Sequence, residues 1–161
     1  MSKVITLKKA IKISKNLHFK KKGLVLCGGC FDILHIGHIK FLKNAKKQGS
    51  SLFVLLESDE SVKKIKGKER PINSQSDRAE ILSAVSSVDY IILLEGIKDD
   101  SWYDKLILDL KPDVIAVTKG SLQIKHNKRQ AKLVNAKVLE VISRIENKSS
   151  TNLAKLISQN F

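Results

Sequence analysis

Two histidines and three glycines lie close together early in the chain, and all of them could contact phosphate. His35 and His38 are three residues apart, so they share one face of a helical turn. Gly28 and Gly29 allow a close backbone approach that a Cβ would block. A helix N-terminus adds free N–H groups, and the lysines that follow add positive charge. Together these groups are suited to bind a polyphosphate.

The elements that must position these residues are one strand and one helix. The apolar run from Leu24 to Cys27 predicts a buried strand that ends at the glycine pair. Ile39, Leu42 and Ala45 recur among lysines at helical spacing, which predicts an amphipathic helix after the histidines. The histidines should therefore lie at a helix start, beside the carboxyl end of a strand.

The rest of the chain alternates between strand and helix patterns. Apolar runs predict further strands at residues 52–56, 90–94, 114–117 and 138–142, and a lead-in helix is predicted at residues 4–18. The long connections imply parallel pairing with right-handed crossovers. We therefore predict a Rossmann-like α/β fold, an open parallel five-stranded sheet with helices on both faces. Ligands of such sheets bind at the carboxyl ends of the strands.

The length and composition predict one intracellular domain. The chain has 161 residues, and we expect a single domain over 1–161, with an N-terminal helical extension over 1–22 and a catalytic core over 23–161. There is no apolar run of membrane-spanning length and no signal-peptide pattern. The two cysteines do not form a disulfide framework. These features predict a soluble cytoplasmic protein with no membrane partner.

The formal net charge of +14 makes nucleic-acid binding an alternative function. Against it, lysines are spread over the whole chain, aromatic residues make up only 5%, and no recognition motif is present. We therefore expect no dedicated nucleic-acid partner. The charge is better explained by a solvated, lysine-rich surface around a site for small anionic substrates.

Cys27 and Cys30 allow two further interpretations. A pair spaced like this between a strand and a helix is typical of thioredoxin-like redox sites, but Cys27 belongs to the apolar strand and the expected aromatic neighbours are missing. Both cysteines, His35 and His38 could also form a zinc site. However, only four residues separate the cysteine pair from the histidine pair, where a zinc finger has about twelve. A small, half-buried residue near phosphate is the simpler role for Cys30.

The run Gly29-Cys-Phe-Asp-Ile-Leu-His-Ile-Gly-His38 resembles the G-x-F-D-x-x-H-x-G-H signature of the cytidylyltransferase-like nucleotidyltransferases. The resemblance implies that an acceptor oxygen attacks the α-phosphorus of ATP or CTP, and that pyrophosphate leaves without an enzyme nucleophile. It implies catalytic roles for His35, His38, Lys46 and Arg78. It also implies nucleotide or phosphate contacts at Gly28, Gly29, Cys30, Phe31, Asp32, Gly37, Arg144, Ser149, Ser150 and Thr151.

Two later segments resemble particular groups within this family. Arg70-Pro-Ile-Asn73, followed by Asp77-Arg78, resembles a segment of bacterial heptose 1-phosphate adenylyltransferases. Arg144-Ile-Glu-Asn-Lys-Ser-Ser-Thr151 is similar to the R-T-E-G-I-S-T-T segment of glycerol-3-phosphate cytidylyltransferases, with Asn147 in place of glycine. More of the chain follows the first group, so we expect AMP transfer to a sugar 1-phosphate. Glycerol- or ethanolamine-phosphate cytidylyltransferase and flavin mononucleotide adenylyltransferase are the alternatives.

The sequence departs from both groups after the fourth predicted strand. Both carry a glycine and aspartate cluster there, whereas this chain has lysines, including Lys119 and Lys125. We expect these two lysines and Arg70 to contact a phosphorylated acceptor that is more anionic than those of the two groups. The same departure motivates an alternative of another class, a nucleotide-binding module that has lost turnover.

The resemblance also implies a cofactor and an oligomeric state. Mg²⁺ would be held mainly by the phosphates of the nucleotide, with Asp32 as a candidate protein ligand. Members of the family commonly form dimers, so the resemblance implies a homodimer.

Overall fold

The computed structural model describes residues 2–143, which contain six helices and five strands. The helices are α1 (Leu7–Phe19), α2 (Ile36–Lys46), α3 (Asp59–Lys66), α4 (Gln75–Ser83), α5 (Asp100–Leu110) and α6 (Ile124–Leu133). The strands are β1 (Leu24–Gly29), β2 (Ser51–Leu56), β3 (Tyr90–Leu93), β4 (Val114–Thr118) and β5 (Lys137–Ile142).

The strands form one parallel sheet in the order β3-β2-β1-β4-β5. The chain first adds β2 and β3 on one side of β1, and then returns to add β4 and β5 on the other side. The strand order therefore reverses between β1 and β4, which is where open α/β sheets bind ligands. The predicted Rossmann-like fold is confirmed.

Helices cover both faces of the sheet because alternate strand residues point to opposite sides. On one face, Val25 and Val54 pack with Leu42 of α2 and Leu82 of α4. On the other face, apolar residues of the strands pack with α1, α5 and α6; they include Leu24, Leu26, Phe53, Ala10, Leu106, Leu110 and Ala131. Complete burial of a leucine or phenylalanine side chain contributes about 1.5–3 kcal/mol, so these two layers fix the orientation of each helix.

The sheet opens at the carboxyl ends of β1 and β4. The ladder between β1 and β2 continues to the pair Gly29 and Leu56. The ladder between β1 and β4 stops at the pair Leu26 and Ile115. The last residues of β1 are therefore paired on one side only, which leaves a crevice next to the glycine pair.

The N-terminal segment packs on the sheet and extends its edge. The Ile5 N–H donates to the Ile91 carbonyl at 2.9 Å, and the Ile91 N–H donates to the Lys3 carbonyl at 2.9 Å. Thr6 caps α1, and buried Ser14 donates to the Leu110 carbonyl of α5. The lead-in helix predicted at residues 4–18 thus begins slightly later and belongs to the same core as the strands.

Candidate active site

The two histidines lie at the start of α2, where they form a reciprocal cap. His35 is the N-cap residue in extended backbone conformation, and its Nδ1 accepts from the Gly37 N–H at 3.1 Å. The Nδ1 of His38 accepts from the His35 N–H at 3.4 Å. The two ring centroids are 3.8 Å apart. The helix start therefore holds both imidazoles side by side at the carboxyl edge of the sheet.

The cap also fixes which ring nitrogen carries the proton. A backbone N–H can only donate, so each Nδ1 carries a lone pair and the proton of the neutral ring is on Nε2. Burial lowers the pKa of His35, and the nearby Lys66 lowers it further. Burial lowers the pKa of His38 to about 3, with further contributions from His35 and Lys66. Both rings are therefore neutral near pH 7, and each offers an Nε2–H donor to a ligand.

Gly28 and Gly29 lie at the crevice and differ in what an added side chain would contact. A Cβ on Gly29 would lie 2.9 Å from the Phe31 ring, so any other residue would force that buried ring to shift. Phe31 itself has a positive φ of 45°, and its ring centroid lies 5.3 Å from that of His38. A Cβ on Gly28 would meet only Leu55 at an ordinary 3.8 Å, and Gly28 is exposed. Its backbone is therefore open to the approach of a ligand.

Asp32 organises a loop, and its predicted role in holding Mg²⁺ stays a prediction. Its Oδ1 accepts from the N–H groups of Ile72 at 2.8 Å and Asn73 at 3.1 Å, and its Oδ2 accepts from Arg70. Burial alone would raise the pKa of Asp32, but hydrogen bonds from Asn73, Arg70 and Ile72 outweigh it and lower the pKa. Both oxygens are engaged and the residue is 1% exposed. Asp32 and Arg70 therefore shape the loop over residues 70–73, and Arg70 is buried in that pair.

Arg78 holds neighbouring segments together, and the catalytic role predicted for it stays a prediction. The side chain is fully buried and donates to the carbonyls of Asn73 at 3.1 Å, Cys30 at 2.5 Å and Glu57 at 2.8 Å. It also donates to Asp59 at 2.8 Å. These partners follow β1 and β2 or belong to the 70–73 loop. Arg78 therefore ties together the three segments that surround the histidines.

Lys46 is bonded away from the histidines, and the catalytic role predicted for it stays a prediction. Its Nζ donates to Asp89 at 2.6 Å and to the Ser50 carbonyl at 2.5 Å, at the amino ends of β2 and β3. A helix rises about 1.5 Å per residue, and Lys46 is eleven residues after His35, so about 16 Å along the helix axis separates the two. The Nζ of Lys46 therefore lies at the opposite edge of the sheet from the histidines.

Lys66 is a site residue that the sequence reasoning missed. It ends α3, is half-buried, and lies close enough to His35 and His38 to lower the pKa of both rings. Burial lowers the pKa of Lys66 itself, against the raising effect of Cys30. The available signal was the basic, turn-rich segment that leads into the 70–73 loop. Lys66, and not Lys46, supplies the lysine beside the imidazoles.

Glu57 and Tyr103 add a second missed feature at the same edge. Glu57 directly follows β2, and its N–H donates to the Gly29 carbonyl at 3.2 Å. The Tyr103 hydroxyl donates to Glu57 Oε1 at 2.8 Å. Burial raises the pKa of Tyr103, and the Glu57 charge raises it further. The phenol therefore stays protonated and holds a carboxylate beside the glycine pair, where hydroxyl groups of a ligand could donate to it.

The basic segment after β4 begins on the same edge, because it runs from the carboxyl end of β4 into α6. Lys119 and Lys125 are both exposed there. Two other basic residues of the segment are paired with α5: His126 contacts Asp100 at 3.1 Å, and Arg129 contacts Asp104 at 2.5 Å. Lys119 and Lys125 are thus at the correct edge for an anionic ligand, with no contact to the histidines among the described interactions.

The cysteines do not form a redox or zinc centre in the described part of the chain. Burial raises the pKa of Cys27 to about 12, and burial also raises the pKa of Cys30. Both are free thiols, whereas a redox or metal-binding cysteine must be a thiolate. Residues 2–143 contain no cluster of three or more metal-binding side chains. Arg144, Ser149, Ser150 and Thr151 lie outside the described residues, so their phosphate contacts stay predictions.

Comparison with known proteins identifies one family from the sequence. The sequence profile described as cytidylyltransferase-like matches residues 26–155. The chain is 42% identical to the bifunctional protein HldE of a Nitratiruptor species over 143 residues, covering 89% of this chain and 29% of the relative. It is 40% identical to the bifunctional protein HldE of Aliarcobacter butzleri, covering 99% of this chain and 32% of that protein. The chain therefore spans about a third of these relatives.

Two solved structures share the architecture. A lipopolysaccharide core biosynthesis protein from Thermoplasma volcanium superposes with a TM-score of 0.59 at 28% identity, covering 80% of this chain and 99% of that one. Pantoate-β-alanine ligase from Francisella tularensis superposes with a TM-score of 0.67, covering 98% of this chain and 77% of that one. Its identity of 16% supports the fold alone. The described helices include none that is long and apolar enough to cross a membrane.

Proposed function

Because the chain belongs to the cytidylyltransferase-like family of nucleotidyltransferases, we propose that it transfers AMP from ATP to a sugar 1-phosphate of the heptose type. An oxygen of the sugar phosphate attacks the α-phosphorus. A new P–O bond forms as the bond from the α-phosphorus to the bridging oxygen breaks, and pyrophosphate leaves. The product is an ADP-sugar.

The observation that carries this proposal is the pair of neutral imidazoles at the start of α2. During the displacement, negative charge shifts toward the oxygens of the leaving pyrophosphate. The Nε2–H groups of His35 and His38 donate to these oxygens, and the N-terminus of α2 adds its partial positive charge. Since the cap holds both rings in advance, little reorganisation is needed during the reaction. Removal of one such donor typically lowers the rate by about 100- to 1,000-fold.

Lys66 supplies the full positive charge of the site. It lies close to both imidazoles and to Cys30, so its ammonium group can neutralise a phosphate bound at the histidines. A phosphate would in turn stabilise the charged lysine, whose pKa is lowered by burial. Lys66 is therefore the proposed phosphate-binding lysine.

Mg²⁺ fits this site as an ion that arrives with the triphosphate. It prefers phosphate oxygens and water to an all-protein cage, and the two oxygens of Asp32 are already engaged with the 70–73 loop. When bound, the ion would neutralise charge on the phosphates. The protein residues would bind and orient the triphosphate around it.

The proposed acceptor is a sugar phosphate for two reasons. The segment at residues 70–78 resembles that of the heptose enzymes, and hydrogen bonds of Asp32 and Arg78 hold its loop over residues 70–73. The Glu57 carboxylate, held by Tyr103, offers an acceptor for sugar hydroxyl groups at the same edge. Lys119 and Lys125 supply positive charge for a phosphate at the other side of the crevice.

Pyrophosphate release tests the proposal. The full chain is incubated with ATP or CTP and with heptose 1-phosphate, glycerol 3-phosphate, ethanolamine phosphate or flavin mononucleotide. We expect release with ATP and heptose 1-phosphate at a kcat/KM at least tenfold above every other pair. Preference for CTP with glycerol 3-phosphate or ethanolamine phosphate would contradict the substrate assignment. Nucleotide binding without release in any pair would favour a module that has lost turnover.

A further inference from the structure

The edge of the sheet opposite the histidines carries a cluster of exposed lysines. Helices α1, α2, α5 and α6 end on this edge and the strands begin there, so we call it the amino edge. Its exposed lysines follow α1, α2 and α5, lie in the last turn of α6, or begin β5; they are Lys20, Lys21, Lys22, Lys47, Lys111, Lys132 and Lys137. The amino edge therefore presents one sign of charge from several distant parts of the chain.

Contacts between the turns show that these lysines share one surface. The Ser50 N–H donates to the Gly23 carbonyl at 2.8 Å, which joins the turn before β1 to the turn before β2. A groove of about 470 Å³ is lined by His18, Lys111 and Lys137, among other residues. This groove places the end of α1 beside the end of α5 and the start of β5.

Few acidic groups offset this charge. Residues 1–31 contain no aspartate or glutamate. On the amino edge, Asp89 is paired with Lys46 at 2.6 Å, and Asp113 accepts from the Leu24 N–H at 2.7 Å. Asp109 is exposed in the last turn of α5 and offsets part of the charge. The helix dipole accounts for lysines at helix ends, but Lys21, Lys22 and Lys137 lie outside the helices.

Exposed apolar side chains lie among these lysines. Phe19 is 88% exposed and directly precedes Lys20, and Leu133 at the end of α6 is 43% exposed. An aromatic ring flanked by ammonium groups is typical of proteins that insert into the boundary between lipid headgroups and acyl chains. A leucine gains from lipid but does not stack on bases, so the pair favours a lipid surface over a nucleic acid.

We propose that the amino edge binds the surface of an anionic lipid bilayer. The ammonium groups lie against headgroup phosphates and Phe19 enters the acyl boundary. The contact is peripheral, since no described helix is long and apolar enough to span a membrane. The histidines then face away from the bilayer and stay open to the nucleotide. This surface adds a membrane partner that the sequence led us not to expect.

Vesicle sedimentation tests the proposal with the full chain. Vesicles of phosphatidylcholine are compared with vesicles of phosphatidylcholine and phosphatidylglycerol at low salt. We expect sedimentation only with the anionic vesicles, and a decrease as salt is raised. The triple variant K20Q/K21Q/K22Q should lower the partition coefficient about 100-fold. F19S should lower it about tenfold.

A matched control separates this surface from net charge. K8Q/K9Q/K12Q removes the same charge from exposed positions in the first part of α1, and it should lower partitioning less than about fivefold. Circular dichroism and pyrophosphate release report whether each variant stays folded. Equal losses in the two triple variants, or no sedimentation with anionic vesicles, would overturn the proposal. Displacement from vesicles by a short oligonucleotide, with tighter binding to it than to lipid, would assign the surface to nucleic acid instead.

Discussion

Replacement of Arg78 is expected to lower stability first and activity as a consequence. The guanidinium group is fully buried and donates to three carbonyls and to Asp59. A hydrogen bond from a charged group contributes about 1.5–3 kcal/mol, but such contributions are not additive within one network. Breaking a buried charged network typically costs about 3–5 kcal/mol. We therefore expect Arg78→Ala to lower the free energy of unfolding by about 3–5 kcal/mol.

Differential scanning calorimetry and pyrophosphate release measure the two effects on the same variants. For a chain of this length, the stability loss corresponds to a Tm decrease of about 10 °C. Arg78→Lys keeps the charge and some of the bonds, so it should lose about half as much stability and about tenfold in kcat/KM. Asp59→Asn is the control, because Asp59 is half-exposed and its exchange removes only one partner, at a cost of less than about 1 kcal/mol.

The result that would refute this reasoning is a variant with normal stability and no activity. If Arg78→Lys keeps the wild-type Tm and loses more than about 1,000-fold in kcat, the guanidinium group acts on the substrate. The catalytic role that the sequence predicted would then be correct, and the structural role would be wrong.

Three further predictions concern the ionisable groups of the site. The pKa of His38 is about 3 in the folded chain, so below pH 6.5 the unfolded chain binds a proton that the folded chain does not. The free energy of unfolding should therefore fall as pH decreases below 6.5. Urea titrations that show no loss between pH 6.5 and 4.5 would contradict this. Lys66→Met should lower kcat/KM about 100-fold. Lys46→Met should leave kcat within about twofold and lower the free energy of unfolding by less than about 1 kcal/mol. Similar kinetics for both variants would refute the assignment of Lys66 as the phosphate-binding lysine. Glu57→Gln and Tyr103→Phe should each raise the KM for heptose 1-phosphate about tenfold and leave the KM for ATP unchanged. The reason is that each change weakens one hydrogen bond to a charged group. An equal rise in KM for both substrates would indicate a purely structural role.

The sequence was sufficient where a residue's role depends on its immediate neighbours. Apolar runs and their spacing predicted the five strands, and the glycine pair and the histidines were correctly expected between a strand and a helix start. These are local features, because a strand end and a helix cap each depend on a few consecutive residues. The parallel strand order followed from the length of the connections.

Spacing alone does not predict contacts between residues that are far apart in the chain. Asp32 and Arg78 belong to the recognised motifs, yet the partners of Asp32 come from residues 70–73, and those of Arg78 come from residues 57–73 and from Cys30. Lys46 is on the same helix as the histidines, but the helix length carries it to the opposite edge. Lys66 reaches the site because α3 ends near Cys30, directly after β1, and this placement depends on the tertiary structure.

The central claim is that two neutral imidazoles donate to the phosphates of the nucleotide. The most direct test measures steady-state pyrophosphate release by His35→Ala, His38→Ala and the double variant. ATP and heptose 1-phosphate are the substrates, and calorimetry confirms that each variant is folded. We expect each single variant to lose about 100- to 1,000-fold in kcat, and the double variant to lose more than either. A folded double variant that keeps wild-type turnover would contradict the account.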